Sequence, residues 1–172
     1  MLDKQTFRSL RHRNFRIYYI GQLVSLNGTW MQAMAQSWLI YRLTGSGLML
    51  GLVGAMTLLP NLVFGIYGGW LADRFPRQKM LIIIHSLAMV QATALGILTL
   101  GGWIEAWHIL LLALALGMVQ AVEVPVRQSF LSQLVSRDDL PNAIALSSSL
   151  FHLSRFIGPA IAGVLVAIMG EG

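Results

Sequence analysis

An all-α, polytopic membrane helix bundle is the fold class this sequence predicts, and three observations carry the prediction. Hydrophobic residues make up 56% of the 172 and charged residues only 11%, whereas a soluble domain carries roughly 25% charge to wet its surface. Five apolar stretches are each long enough to cross a bilayer core of about 30 Å, which takes roughly 20 helical residues. The basic side chains, finally, gather almost entirely on one side of those stretches. The net charge of +5 is therefore not a nucleic-acid surface, which needs a hydrophilic scaffold to display it. A soluble enzyme and a disordered tail are excluded on the same composition. The chain has no cysteine, which removes disulfide frameworks, Cys-ligated metals and thiol catalysis.

The expected organisation is a basic cytoplasmic tail over residues 1–14 and a membrane domain over 15–172. Its helices are expected at about 15–40, 48–72, 80–100, 107–126 and 141–169. Each boundary has a breaker. Thr44-Gly45-Ser46-Gly47 separates the first two helices, Asp73-Arg74-Phe75-Pro76 the next two, and Gly101-Gly102 closes the third. Arg137-Asp138-Asp139, followed by Pro141, opens the last with acidic residues and a first-turn proline, both favoured there.

Orientation follows from the basic residues. Lys4, Arg8, Arg11, Arg13, Arg16, Arg74, Arg77, Lys79, Arg127 and Arg137 share one side if the helices alternate, against Arg42 on the other. That bias places the N-terminus in the cytoplasm. Ala33-Met34-Ala35 resembles a signal-peptide cleavage site, but Gln22, Ser25, Asn27 and Thr29 make the stretch before it too polar for such a core.

The polar residues inside the spans are the informative ones. Gln22, Ser25, Thr29, Gln32 and Gln36 recur at intervals of 3, 4, 3 and 4, which puts them on one face of the first helix. Facing lipid they would be unfavourable, so they are expected to line a cavity, with buried interhelical hydrogen bonding as the alternative. Gly65-xxx-Gly69 and Gly68-xxx-Ala72 in the second helix, and Ser154-xxx-Gly158-xxx-Ala162 in the fifth, are spacings that let backbones approach closely. Pro159 favours a bend in the fifth. Two ionisable residues sit within spans: Glu123, about one turn from the end of the fourth helix, and Arg155, near the middle of the fifth. Such groups are functional candidates by default; Arg155 suits substrate or anion contact.

Enzyme and cofactor signals are absent. No histidine has a second ligand at i+3 or i+4, so no metal site is expected. Gly45-Ser46-Gly47-Leu48-Met49-Leu50-Gly51 misses the dinucleotide spacing by one residue, and Ser147-Ser148-Ser149 has no base partner. No catalytic residue, metal or cofactor is assigned.

Gly69-Trp70-Leu71-Ala72-Asp73-Arg74-Phe75-Pro76-Arg77-Gln78-Lys79 resembles the signature loop of the major facilitator superfamily, G-x-L-a-D-r-x-G-r-k, between its second and third helices. Gly69, Leu71, Asp73, Arg74 and Arg77 match; Pro76 replaces the second glycine and Gln78 the final basic residue. Ser154-Arg155-Phe156-Ile157-Gly158-Pro159-Ala160-Ile161-Ala162-Gly163 is similar to the fifth-helix pattern G-x-x-x-G-P-x-x-G-G of the antiporter branches, with Gly158, Pro159 and Gly163 matching and Ser154 and Ala162 replacing glycines. Gly28-Thr29-Trp30-Met31-Gln32, Leu43-Thr44-Gly45-Ser46, Val124-Pro125-Val126-Arg127-Gln128-Ser129 and Asn142-Ala143-Ile144-Ala145-Leu146 resemble a bacterial efflux subgroup that includes enterobactin-type and macrolide-type exporters.

What the resemblance implies is a bundle of five transmembrane helices corresponding to the N-terminal half of a twelve-helix fold, short of its sixth helix. Two such halves rock about a central site. Asp73 would meet a helix end of the facing half, Arg77 would join Glu123 and Arg127 in a cytoplasmic charge cluster, and the fifth-helix segment would limit leak during exchange. The expected function is alternating-access transport in the cytoplasmic membrane, as proton-coupled export of a drug-like molecule or a metabolite such as a siderophore. The alternatives are an importer or lipid transporter of the same fold, or a truncated, non-transporting fragment. The implied partners are the lipid bilayer, a small-molecule substrate, protons and the C-terminal helical half, with no nucleic acid.

Overall fold

Residues 7–169 are described by the computed structural model, the side chains of Ala72 and Met169 excepted. Lys4 and Gly170-Glu171-Gly172 lie outside them. A short 3-10 turn, Arg8–Arg11, leads into α1 (Arg13–Thr44), followed by α2 (Gly47–Arg74), α3 (Arg77–Leu100), α4 (Ala106–Leu134) and α5 (Leu140–Met169). The described residues contain no strand.

The junctions show why the chain breaks where it does. Gly45 caps α1 in the left-handed region at φ 60°, where a side chain would be strained, and its N–H donates to the Tyr41 carbonyl at 2.7 Å. Ser46 begins α2 by accepting from the Met49 N–H at 3.4 Å. A capping box opens α4: the Glu105 carboxylate accepts from the backbone of His108, and the Glu105 N–H donates to His108 Nδ1 at 3.1 Å.

One expectation changes. The sequence places the end of the fourth helix at 126, but α4 continues to Leu134. Pro125 does not stop it, and buried Val126 and Leu131 carry its apolar face onward past the polar run at 127–129. Among the described residues, moreover, four helices are long and apolar enough to cross a membrane by length and composition, α2 to α5. The 32-residue α1 has the length but is outside that set, because its glutamines and other polar side chains dilute its apolar residues.

Packing is pairwise: α2 lies closely on α4, α1 on α5 and α3 on α4. Three buried clusters join the pairs. Leu39, Ile40, Val53, Ile109 and Ala113 close one end; Met80, Leu81, Ile84 and Val126 seat α3 on α4; and Phe15, Leu131, Ala143 and Leu146 close the opposite end. The outer surface is apolar, with Ile66 84%, Leu62 80% and Phe156 77% exposed, which suits lipid or further helices rather than water.

Glycines set the closest approaches. A Cβ on Gly68 would fall 2.6 Å from the Ala121 carbonyl oxygen, one on Gly117 2.5 Å from the Thr57 oxygen, and one on Gly158 2.6 Å from Trp30 Cβ. Gly65 and Gly69, by contrast, have nothing within 4 Å. Of the three glycines in those α2 pairs, then, only Gly68 faces another helix among the described residues.

A tether that has no local sequence signal ties the start of the chain to α5. Ser9 is fully buried; its N–H donates to Asn142 Oδ1 at 3.0 Å and its hydroxyl to the Asp139 carbonyl at 2.9 Å. The Asp139 carboxylate pairs with Arg8 and lies 2.8 Å from His12 Nε2, with the Ser136 hydroxyl donating at 3.1 Å. The hydrogen bond with His12 leads the effects that lower the Asp139 carboxyl below its usual range. A depressed carboxylate stabilises the fold above its unfolded value of about 3.9 and loses that contribution as pH falls through the lower folded value. Asp139→Asn is therefore expected to raise amide exchange across residues 7–12 several-fold at neutral pH, with little effect on α2–α4. Acidification below about pH 4 should loosen the wild-type segment likewise. Exchange by mass spectrometry checks both.

Candidate functional site

The α2–α3 loop presents its charges outward. Asp73 and Arg77 approach at 4.0 Å across the break between α2 and α3, with side chains 80% and 26% exposed. So long a pair, with Asp73 open to solvent, contributes about 0–1 kcal/mol. The Arg74 guanidinium sits over the Trp70 ring at 4.3 Å, and Arg77 Nε is buried without a hydrogen-bond partner. Leu71 packs on the buried α3–α4 cluster, and Gly69 has open space around it.

Glu123 and Arg127 are half-buried one turn apart on α4. Among the described residues no ion pair joins Glu123 to Arg77, Arg127 or Arg155. The longer α4 also changes the depth of Glu123. It lies eleven residues before Leu134, about 16 Å along the axis, three turns rather than one from the helix end.

The polar face of α1 divides into two parts. Toward the α3–α4 side, Gln32 Nε2 donates to Gln91 Oε1 at 2.7 Å, Gln91 Nε2 to the Leu112 carbonyl at 3.1 Å, and Gln36 Nε2 to the Ile109 carbonyl at 3.3 Å. These are interhelical hydrogen bonds. Gln22 and Ser25 instead line a cleft of about 990 Å³ with Asn14, Gln78, His85 and Gln133, and Gln22 Oε1 is buried there without a partner. The Thr29 hydroxyl donates back to the Ser25 carbonyl at 3.0 Å. Gln91 is a residue the sequence reading passes over, although a glutamine amid the apolar run of the third helix was the available signal. Gln91→Leu is expected to destabilise the bundle by about 1–2 kcal/mol, since it strands the Gln32 amide and removes a second bond to the Leu112 carbonyl. A lowered unfolding midpoint in detergent checks it.

The fifth helix turns its matching residues to α1. Ser154, Gly158 and Ala162 are buried, Asn27 Nδ2 donates to Ser154 Oγ at 3.1 Å, and Gly163 would place a Cβ 3.6 Å from Met34 Cε. Pro159 lies within the helix.

Arg155 is remote from the cleft. Its guanidinium lies over Trp30 at 5.6 Å, Trp30 meets Phe151 edge-on at 5.7 Å, and the Arg127 guanidinium lies over Phe151 at 5.8 Å. A desolvated cation–π contact is worth about 2 kcal/mol, whereas an arginine at the centre of a membrane helix costs about 2.5–3.5 kcal/mol on insertion scales. The rings alone do not offset the charge.

Helix ends and clusters also place the loops. The α2–α3 and α4–α5 loops and the N-terminal turn share one end of the bundle, and the α1–α2 and α3–α4 turns share the other. Arg8, Arg11, Arg13, Arg16, Arg74, Arg77, Lys79 and Arg137 belong to the first end and Arg42 to the second.

The profile of the family described as transmembrane secretion effector matches residues 4–172. The chain is 27% identical over 154 residues to the staphyloferrin A transporter of Staphylococcus aureus, covering 89% of this chain and 39% of that protein. It is 26% identical over 154 residues to macrolide efflux protein A of Streptococcus pyogenes, covering 90% and 38%. Against the multidrug efflux pump Tap of Mycolicibacterium fortuitum it is 25% identical over 148 residues, covering 83% and 36%. The chain thus spans under two fifths of the length of these curated relatives. No solved structure matches it significantly.

Proposed function

The chain belongs to the transmembrane secretion effector family of major facilitator transporters, and on that premise we propose that it serves a multi-pass exporter of the cell membrane. Not an enzyme, it works by alternating access, exchanging a small drug-like molecule or metabolite for protons. The observation that carries the reading is the charged α2–α3 loop. Asp73 stands 80% exposed at the end of the bundle where the basic side chains gather, free for a partner beyond these helices. That basic end faces the cytoplasm, so the N-terminus is inside and all five helices span, α1 packed on α5 with apolar side chains such as Ile17, Ile20 and Val24 left for lipid. The exposed apolar faces of α2 and α5 meet lipid and the remaining helices of a transporter as long as the relatives.

The test is accumulation of a panel of fluorescent and antibiotic substrates in cells expressing the native gene, with and without an uncoupler. The expected result is lower accumulation than in control cells while the proton gradient stands, rising to the control level when it is collapsed. Higher accumulation in energised cells would make the protein an importer. Indifference to the gradient would remove proton coupling.

A further inference from the structure

We propose that the line Arg127, Phe151, Trp30 and Arg155 is an anion-recognition site, and that the substrate class it takes is an amphipathic carboxylate on an aromatic body. The inference rests on the transporter reading above and names the substrate chemistry of that function.

Three helices build the site. Arg127 comes from α4, Trp30 from α1, and Phe151 and Arg155 from successive turns of α5. The four side chains form a continuous series: guanidinium to ring at 5.8 Å, ring to ring at 5.7 Å and 70°, ring to guanidinium at 5.6 Å. Neither arginine has a carboxylate partner among the described residues. Glu123, the acidic side chain closest in sequence to Arg127, forms no ion pair there either. Trp30 Nε1 adds another donor, buried without an acceptor. Arg155 is exposed, near the middle of a helix apolar enough to cross the membrane.

Such a set is rich in donors and poor in acceptors. A cationic substrate would meet two like charges, and a neutral one would leave Arg155 without a counter-charge. A carboxylate supplies the missing negative charge and matches the planar fork of arginine with two parallel hydrogen bonds. The faces and edges of Trp30 and Phe151 offer an aromatic body its apolar contact. The cleft beside Gln22 has neither a cation pair nor a carboxylate among its described lining residues.

The experiment is binding of carboxyfluorescein, followed by fluorescence anisotropy, to the protein purified from its native gene into phosphatidylcholine nanodiscs. Saturable binding is expected, with an excess of the cation ethidium failing to compete. Arg155→Gln is expected to weaken binding by about tenfold or more, and Arg155→Lys by less, since lysine keeps the charge and loses the fork. Arg127→Gln supplies a second variant at the other end of the line, and size-exclusion elution shows that each variant is folded. Absence of saturable binding, unchanged affinity in folded Arg155→Gln and Arg127→Gln, or displacement by ethidium overturns the site. Efflux of the same two dyes from cells is read separately. Anion binding without efflux supports the site and removes the transport reading; ethidium efflux without anion binding retains transport and overturns the site.

Discussion

Replacing Gly117 by valine is expected to remove most of the folded protein from the membrane. At this position α2 and α4 touch backbone to backbone. A Cβ would come within 2.5 Å of the Thr57 carbonyl oxygen and 3.0 Å of both the Met56 oxygen and Pro60 Cγ. Two of those three neighbours are backbone atoms, so relief requires the helices to part rather than a side chain to rotate. Overpacking a well-filled seam costs about 1–3 kcal/mol and occasionally more, and valine adds two methyl groups beyond the Cβ. Against a total stability of about 5–15 kcal/mol, a loss of about 3 kcal/mol or more is severe.

The contact has a counterpart that explains its tightness. Pro60 has no N–H, so the Met56 carbonyl lacks its helical donor, and that oxygen is one of the atoms facing Gly117. Pro125 likewise releases the Ala121 carbonyl, and that oxygen faces Gly68 of α2. Each helix therefore sets a proline-freed carbonyl against a glycine of the other, where a Cα–H can approach it, a contact worth about 0.5–1 kcal/mol. Gly68→Val should behave like Gly117→Val. Gly65→Val, at a position open on all sides, should change stability by no more than about 0.5 kcal/mol. Fluorescence-detected size exclusion of tagged variants, with melting temperatures, measures all three. Wild-type levels and melting for Gly117→Val would falsify the seam.

That seam also shows where sequence reasoning reaches its limit. Periodicity identifies which residues share a helix face, but not which face meets another helix. In α2 it picks out Gly65 with Gly69 as readily as Gly68, and only Gly68 has a neighbour close by. In α4 the series Ala113, Gly117, Ala121 and Pro125 repeats every four residues and was a legible signal, hidden among leucines and valines. The five helices and their breakers were readable because glycine, proline and charge act locally. The end of α4 was not, because Arg127, Gln128 and Ser129 look like a loop when the burial of Val126 and Leu131 on either side is unseen.

The same division holds for the polar groups. The intervals of α1 gather Gln22 through Gln36 on one face, yet only the partners decide what each does. Gln91 and the Ile109 carbonyl engage Gln32 and Gln36, while Gln22 opens onto a cleft. Asp139 reads as a helix-opening acid, and its capture of Arg8 and His12 joins residues more than 120 apart in the chain. Long-range pairing of this kind leaves no trace in spacing.

Asp73→Asn is expected to lower transport by about tenfold or more, equivalent to about 1.4 kcal/mol of lost state preference, while expression and membrane insertion stay at wild-type levels. The structural half of the prediction comes from exposure. The side chain is 80% exposed and its contact with Arg77 is long, at 4.0 Å, so an isosteric amide should alter the fold by less than about 0.5 kcal/mol. The functional half comes from charge. On the proposed mechanism Asp73 faces a helix end of the opposing half, where a full negative charge interacts with the positive N-terminal dipole and an amide does not. A charge that contributes little within its own bundle and much across the gate biases the conformational equilibrium and leaves folding alone. Arg77→Ala should be a harsher change on both counts, since its side chain is only 26% exposed and its alkyl stem packs as well as its charge. Efflux rates normalised to surface protein separate the two effects. If Asp73→Asn transports at near wild-type rate, the carboxylate has no gating role; if insertion fails along with transport, its role is structural.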